Sequence, residues 1–306
     1  MNDRQSKKAI IENRKNNHLN TAAQSPVEQI NLLDFNSIQL EHCALPELSL
    51  TQIDTSTLFM GKRISLPLLI SSTTGGTTYT HSVLKLLAEV AEQKKIALCV
   101  GSQRIALEFP ESEKYFHLRD VAPTIPLLAN LGAVQLNYGL DIEHCRRAIE
   151  MLDADGLVLH LNPLQECLQL NGNTDFRNLL KKIETLVDKI PVPLIVKEVG
   201  YGISLDVAQK LLDIGVFAID LNGSGGTSFA KIESEIAESK EYQELAASFA
   251  TWGLSTVSLL KEFRNWQHPR KMIIAGGGVR NGIDIAKTIQ KQEVFFLNFE
   301  ISIRLG

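Results

Sequence analysis

From Pro67 onward the chain keeps one rhythm: short apolar runs alternate with segments of helical periodicity. The runs are Pro67–Ser71, Ile96–Val100, Pro126–Asn130, Gly156–Leu161, Pro193–Val199, Val216–Leu221 and Met272–Ala275. Most are continuous rather than alternating, which is what strands buried on both faces require. Ser82–Lys94, Ile142–Leu152, Phe176–Lys189 and Ser204–Ile214 read as the amphipathic helices between them. Seven strand-helix units at this spacing point to a TIM (β/α)8 barrel rather than an open doubly wound sheet. Right-handed crossovers reach such a barrel by simple repetition.

Two stretches depart from the rhythm. Residues 222–252 form a long connection after the sixth run, and long connections in compact domains are functional or mobile. After the helix-like Asn281–Ile289, the chain offers one more apolar run and no further helix. Val294–Leu297 can fill the eighth strand slot, but residues 290–306 are not expected to form a normal eighth β/α unit. The chain thus divides into an N-terminal arm and lid over the barrel mouth, residues 1–60, and the barrel, residues 61–306, with its last unit truncated. Residues 1–60 read as mostly polar and irregular, with short strands over 38–60. Within them Arg14-Lys15-Asn16-Asn17-His18 is a compact cationic cluster, by itself a solvated arm.

Composition excludes several classes. With 31 Lys+Arg against 35 Asp+Glu the formal charge is −4, which argues against a nucleic-acid partner. Cys43, Cys99, Cys145 and Cys167 form no CxxC pair. Neither a disulfide framework nor a structural zinc site is expected, and a reducing cytosol fits. The polar N-terminal residues show no apolar core of a signal peptide, so none is expected, and no apolar run approaches a membrane span.

Every run ends in polar or glycine-rich sequence, where parallel α/β folds build their sites. The densest such end is His160-Leu161-Asn162-Pro163-Leu164-Gln165-Glu166. Pro163 breaks regular structure there, so these groups are expected on a turn. Gly223-Ser224-Gly225-Gly226-Thr227 and Gly276-Gly277-Gly278-Val279-Arg280 follow the sixth and seventh runs. Glycines before a helix let backbone N–H groups approach a phosphate, and these loops occupy the usual phosphate corner of a barrel. Lys197 interrupts an apolar strand and needs a partner if buried. Glu198 is the nearest candidate, although neighbours on a strand point to opposite faces.

Taken together, these residues resemble the type 2 isopentenyl-diphosphate isomerase family over roughly residues 12–289. The resemblance rests on Arg14-Lys15…His18, Thr73-Thr74-Gly75-Gly76, Gly101-Ser102-Gln103-Arg104, Asn130-Leu131-Gly132, Gln135-Leu136-Asn137, the 160–166 stretch, Lys197-Glu198-Val199-Gly200, Gly225-Gly226-Thr227, Trp252-Gly253 and Gly277–Gly282. The 160–166 stretch is specific to the family, whereas the glycine loops are shared with flavin barrels generally. The resemblance implies an FMN-linked barrel that interconverts isopentenyl and dimethylallyl diphosphate, and a homo-oligomer. It assigns the diphosphate to Arg14, Lys15, His18, Ser102, Arg104, His160 and Asn162, and Mg2+ to Glu166. It places Thr73, Thr74, Gly75, Ser102 and Asn130 along the flavin ring, Lys197 at its N1–C2 carbonyl edge, and its phosphate on Gly225, Gly226, Thr227, Gly277, Gly278 and Arg280. Arg14 and the residues beside it become a flap over the diphosphate.

The reaction it implies moves a double bond by adding one proton and removing another. No strong acid stands beside the expected tail position. The family's answer is reduced FMN as acid-base catalyst, with Gln165 assisting and NADPH reducing the flavin. Three alternatives stand beside it. A 2-hydroxy-acid oxidase would need a His-x-Gly-x-Arg pattern that Thr251–Lys271 lacks, its one histidine being His268. An inosine-monophosphate dehydrogenase would need a cysteine where the sixth loop has Ser224, Thr227 and Ser228. The third is an inactive remnant of the family, whose short tail deprives the FMN phosphate of donors after the eighth strand.

Overall fold

The computed structural model describes residues 3–29, 34–270, 272–290 and 294–299. The seven apolar runs become parallel strands, each hydrogen-bonded to the next: β3 (Leu68–Ile70), β4 (Ala97–Cys99), β5 (Leu127–Gly132), β6 (Gly156–Leu161), β7 (Leu194–Glu198), β8 (Ala218–Asp220) and β9 (Ile273–Ala275). An eighth strand, β10 (Val294–Phe299), pairs with both β9 and β3 and closes the barrel. Part of the tail therefore supplies the strand of the eighth unit. The helix and phosphate loop expected to be missing after it fall on residues 300–306, outside the described residues.

Side chains alternate along each strand. Leu69, Ala97, Cys99, Leu128, Val158, Ile195, Ala218 and Ile274 point inward and form one apolar cluster. Their alternates, among them Leu98, Leu127, Leu157, Val196 and Ile219, pack outward beneath the helices. Burial on both faces is why the runs read as continuous.

The outer helices include α2 (Thr78–Lys94), α4 (Ile142–Leu152), α6 (Leu179–Val187), α7 (Leu205–Asp213), α10 (Thr256–Phe263) and α11 (Gly282–Gln290), with a short α3 (Arg104–Glu108) after β4. Capping boxes start two of them, Thr77 with Thr80 on α2 and Asp141 with His144 on α4, so their first free N–H groups are satisfied where the sheet ends.

Two findings correct the sequence reading and a third fills it in. Residues 1–60 are not mostly irregular: α1 (Asp3–Gln24) is a 22-residue helix. It presents no apolar stripe, so periodicity could not reveal it. Ion pairs accompany it, Lys7 with Glu108 at 2.8 Å and Lys8 with Glu111 at 2.7 Å, and Ile11 alone joins the main core. The strands near residue 60 are β1 (Thr57–Phe59) and β2 (Lys62–Ile64), a hairpin turning on Met60 and Gly61. Both turn residues have positive φ, 49° and 75°, as a two-residue primed turn demands. The hairpin does not lie at the mouth. Phe59 and Ile64 join the inward apolar cluster, and Lys62 reaches Asp155, just before β6, at 2.7 Å, so the hairpin plugs the N-terminal end of the barrel. Finally, the 222–252 connection holds two helices, α8 (Phe229–Ile236) and α9 (Lys240–Ser248).

Candidate functional site

Two residues above the inward apolar layer, the same strand faces turn polar. Leu128 is followed by Asn130, Val158 by His160, Ile195 by Lys197 and Ala218 by Asp220; Asn130, Lys197 and Asp220 are buried and His160 partly so. His160 Nδ1 lies 3.1 Å from Asn130 Oδ1. Burial, then Lys197 and Lys15, push the His160 imidazolium down to about 3. His160 therefore enters the site neutral, not as one of its cations. Lys197 Nζ donates to the backbone carbonyl of Glu198 at 2.6 Å, and Asn222 Nδ2 donates to the same oxygen at 3.0 Å. The Glu198 carboxylate points the other way, as strand alternation requires. Asp220, not singled out from sequence, pairs in register with Lys197. It interrupts an apolar run, the same signal that marked Lys197.

Helix α1 crosses above this layer. Arg14 Nη1 donates to Gln169 Oε1 at 2.9 Å, and Lys15 Nζ donates to the carbonyls of Gly75 and Ser102 at 2.8 and 3.0 Å. Arg104 Nε meets Glu108 at 2.6 Å, and His18 Nε2 meets Glu233 at 3.1 Å. Burial, then Arg14 and Arg104, pull the Lys15 ammonium down to about 7; burial and Arg104 lower Arg14 as well. Three cations thus converge in a water-poor space, an arrangement that favours an anion of high charge.

The 160–166 stretch is corrected in form. Pro163 opens helix α5 (Pro163–Leu168) at its first position, where the missing N–H costs nothing. Gln165 and Glu166 therefore stand on a helical turn, not a loop. Asn162 Nδ2 donates to Gln165 Oε1 at 3.0 Å and Glu166 Oε1 at 3.1 Å, and Glu166 Oε2 accepts from the Asn173 N–H at 2.6 Å. Among the described residues no three His, Cys, Asp or Glu side chains gather as a metal site. A lone carboxylate suits Mg2+ only where substrate phosphate and water complete the shell. The buried Asn162 Oδ1 and Asn130 Nδ2 have no hydrogen-bond partner.

The glycine loops interlock. A Cβ on Gly277 would stand 1.8 Å from the Gly223 carbonyl, and Gly277 has φ +97°, so only glycine fits. Arg280 ties the loops by donating to Gly278 and Gly225 carbonyls, both at 3.0 Å. Gln29, missed from sequence, is buried and holds the first loop. Its Oε1 accepts the Gly225 N–H at 3.0 Å, and its backbone N–H donates to the Gly226 carbonyl at 2.8 Å. No local motif could have flagged it, since its partners lie 196 residues away.

These groups line one cavity of about 620 Å³. Its wall carries Arg14, Lys15, His18, Thr73, Thr74, Ser102, Arg104, Asn130, His160, Asn162, Gln165, Glu166, Lys197, Gly226, Thr227, Gly277, Gly278 and Arg280. Gly75 and Gly225 stand behind it: Gly75 packs on Phe116 and lends its carbonyl to Lys15, and Gly225 faces a smaller cavity beside Asp34 and Phe35. His268 is not on the wall; it stacks on Trp266 and bonds Asp213 at 3.1 Å.

The chain is 46% identical over 287 residues to the isopentenyl-diphosphate delta-isomerase of Stutzerimonas stutzeri, covering 93% of this chain and 82% of that one. It is 45% identical over 282 residues to the enzyme of the same name from Nostoc sp., covering 92% and 80%. No protein-family model matches. Among solved structures, a flavocytochrome b2 with sulfite bound superposes with TM-score 0.57 at 15% identity, covering 92% of this chain and 70% of that one. An inosine 5′-monophosphate dehydrogenase from Legionella pneumophila superposes with TM-score 0.55 at 13% identity, covering 88% and 69%. At that identity these two likenesses concern the barrel alone.

Proposed function

The chain belongs to the type 2 isopentenyl-diphosphate delta-isomerase family, and on that premise we propose that it interconverts isopentenyl and dimethylallyl diphosphate with FMN and Mg2+ bound. The observation that carries this reading is one cavity with three converging cations, a polar amide cluster and a buried lysine on its wall. The diphosphate takes the cations: Arg14, Lys15 and Arg104 supply charge, and arginine forks match phosphate oxygens. Neutral His160 and Asn162 add hydrogen bonds. Glu166 would hold Mg2+, a hard cation suited to carboxylate and phosphate oxygens, so its charge need not repel the substrate. Leu19, Ala22, Val27 and Phe229 on the same wall suit a five-carbon tail and keep water from it.

FMN fits the residues at the bottom of the cavity. The orphaned Asn130 Nδ2 offers a donor to a ring carbonyl, Lys197 offers a fixed cation, and residues 277–279 offer backbone N–H groups to a phosphate, the Arg280 N–H being held by Asp284. Because Gln29 and neighbouring carbonyls engage the N–H groups of Gly223, Ser224 and Gly225, the later loop is the better phosphate seat. When bound and reduced, by NADPH in this reading, FMN supplies the acid-base chemistry without net oxidation of substrate. The chain's own part is orientation. Asn162 fixes the Gln165 amide, and Gln165 steadies the proton in transit near the alkene. The cations anchor the diphosphate so that the alkene meets the acid in one geometry.

The test is to reconstitute the protein with FMN, reduce it anaerobically and add isopentenyl diphosphate with Mg2+. Dimethylallyl diphosphate should form. A colourless protein that takes up no FMN would favour the inactive remnant, and a yellow protein that makes no product would count against the assigned reaction.

A further inference from the structure

We propose that Glu198 is the positioning residue that fixes Lys197 in the cavity, acting through its own backbone. Its carboxylate is buried on the outer face of β7. One oxygen, Oε2, accepts the backbone N–H groups of Val199, Gly200, Tyr201 and Gly202, at 2.6 and 2.7 Å for the first two and 3.2 Å for the last. Four successive amides wrapped on one anion form a nest that sets the chain direction where β7 ends. Immediately before that nest lies the Glu198 carbonyl, which accepts Lys197 Nζ and Asn222 Nδ2. The carboxylate and the carbonyl of one residue thus do separate tasks on opposite faces of the strand. The first holds the peptide rigid, and the second, so held, aims the ammonium.

The nest also seats its neighbours. The Tyr201 carbonyl accepts the Leu254 N–H at 2.9 Å, and its hydroxyl accepts the Ala230 N–H at 2.7 Å. Burial raises the Glu198 carboxyl to about 7 against the pull of these N–H groups. A carboxylate held at that cost on the side away from the cavity needs a reason, and the hydrogen-bond pattern supplies one.

The consequence for the cofactor rests on the reading that Lys197 faces reduced FMN. Loss of Lys197 alignment should weaken reduced FMN more than oxidised FMN, because only the reduced ring carries the negative charge. A purely structural role would weaken both alike.

The experiment compares wild type, Glu198→Gln, Glu198→Asp and Lys197→Met. In the apo-chain, hydrogen exchange at amides 199–202 and acetylation of Lys197, read by mass spectrometry, should both accelerate in Glu198→Gln, by about tenfold or more. In the loaded protein, the ratio of oxidised to reduced FMN dissociation constants should fall about tenfold in Lys197→Met, one charge-assisted contact's worth. It should fall in the same direction in Glu198→Gln. Glu198→Asp keeps the charge on a shorter arm and should lie between, which preserves the test if the glutamine variant folds poorly. Unchanged Lys197 acetylation in both Glu198 variants overturns the proposal. Faster acetylation together with an unmoved FMN ratio in Lys197→Met supports the positioning role and overturns the flavin-facing reading of Lys197 instead.

Discussion

The two halves of the barrel interior are built from the same strands and the same face of each strand, yet they do opposite things. In the lower half Leu128, Val158, Ile195 and Ala218 close on Phe59 and Ile64 from the β1–β2 hairpin. In the upper half Asn130, His160, Lys197 and Asp220 stand two residues further along, beneath α1. The lower layer is filled by apolar contact and stabilises the barrel. The upper layer holds charged and polar groups away from water, and its partners are hydrogen bonds rather than packing. Strand alternation decides which side chains face inward, and height along the strand decides whether inward means core or site.

That contrast can be broken from below first. Phe59→Ala should lower unfolding free energy by about 3–5 kcal/mol, the usual loss for a buried aromatic. Substrate affinity of the folded fraction should stay within about twofold, since the deletion is far below the cations. Denaturant melts and substrate titration check this, and a parallel loss of affinity would show that the halves are not separable.

From above, Gln165→Ala should reduce kcat about a hundredfold, the low end for an aid to proton transfer, with little change in KM. Steady-state kinetics on the reduced enzyme decide it, and a change in KM alone would remove Gln165 from the chemistry. Arg104→Ala should instead raise KM by about ten- to a hundredfold, because it removes one contact of roughly 1.5–3 kcal/mol to a charged group. Its thermal midpoint should move little, because losing the Glu108 pair is offset by relief of the repulsion that Arg104 exerts on Arg14 and Lys15.

The smallest effect tests the electrostatics of the upper half. Lys15 titrates near 7 when folded, against 10.5 as its ordinary value. Between those values the unfolded chain carries the extra proton. Stability should therefore rise with pH across that window, by up to ~1.4 kcal/mol per pH unit from this group. Lys15→Met should flatten the slope in pH-dependent melts. Diphosphate binding at pH 8 should draw about one proton onto Lys15, measurable by calorimetry in two buffers. Binding without proton uptake would mean that Lys15 is already charged.

The barrel was legible in the chain because a strand buried on both faces leaves a continuous apolar run, and seven such runs survive in order. The residues of the 160–166 stretch were legible too, because they are neighbours in sequence. Their form was not: Pro163 reads as a breaker until the helix that it opens is seen. Helix α1 escaped because it has no apolar stripe and its contacts come from far along the chain: Lys7 and Lys8 pair with Glu108 and Glu111, more than 100 residues away, and Ile11 alone joins the main core. Gln29 escaped for a related reason, as it gains its meaning only from a loop 196 residues away; Asp220 carried the signal that marked Lys197, a charge inside an apolar run, and was passed over.

Local chemistry, then, belongs to the sequence alone: which runs bury both faces, which loops need glycine, and which short stretch carries the amides and the carboxylate. Only the tertiary structure decided which charges meet and in what state. Lys197 found a backbone carbonyl where a carboxylate was expected, His160 became neutral, and Lys15 was pulled to about 7. Each of these depends on desolvation and on Coulomb neighbours that arrive from distant segments, and neither quantity exists until the chain has closed.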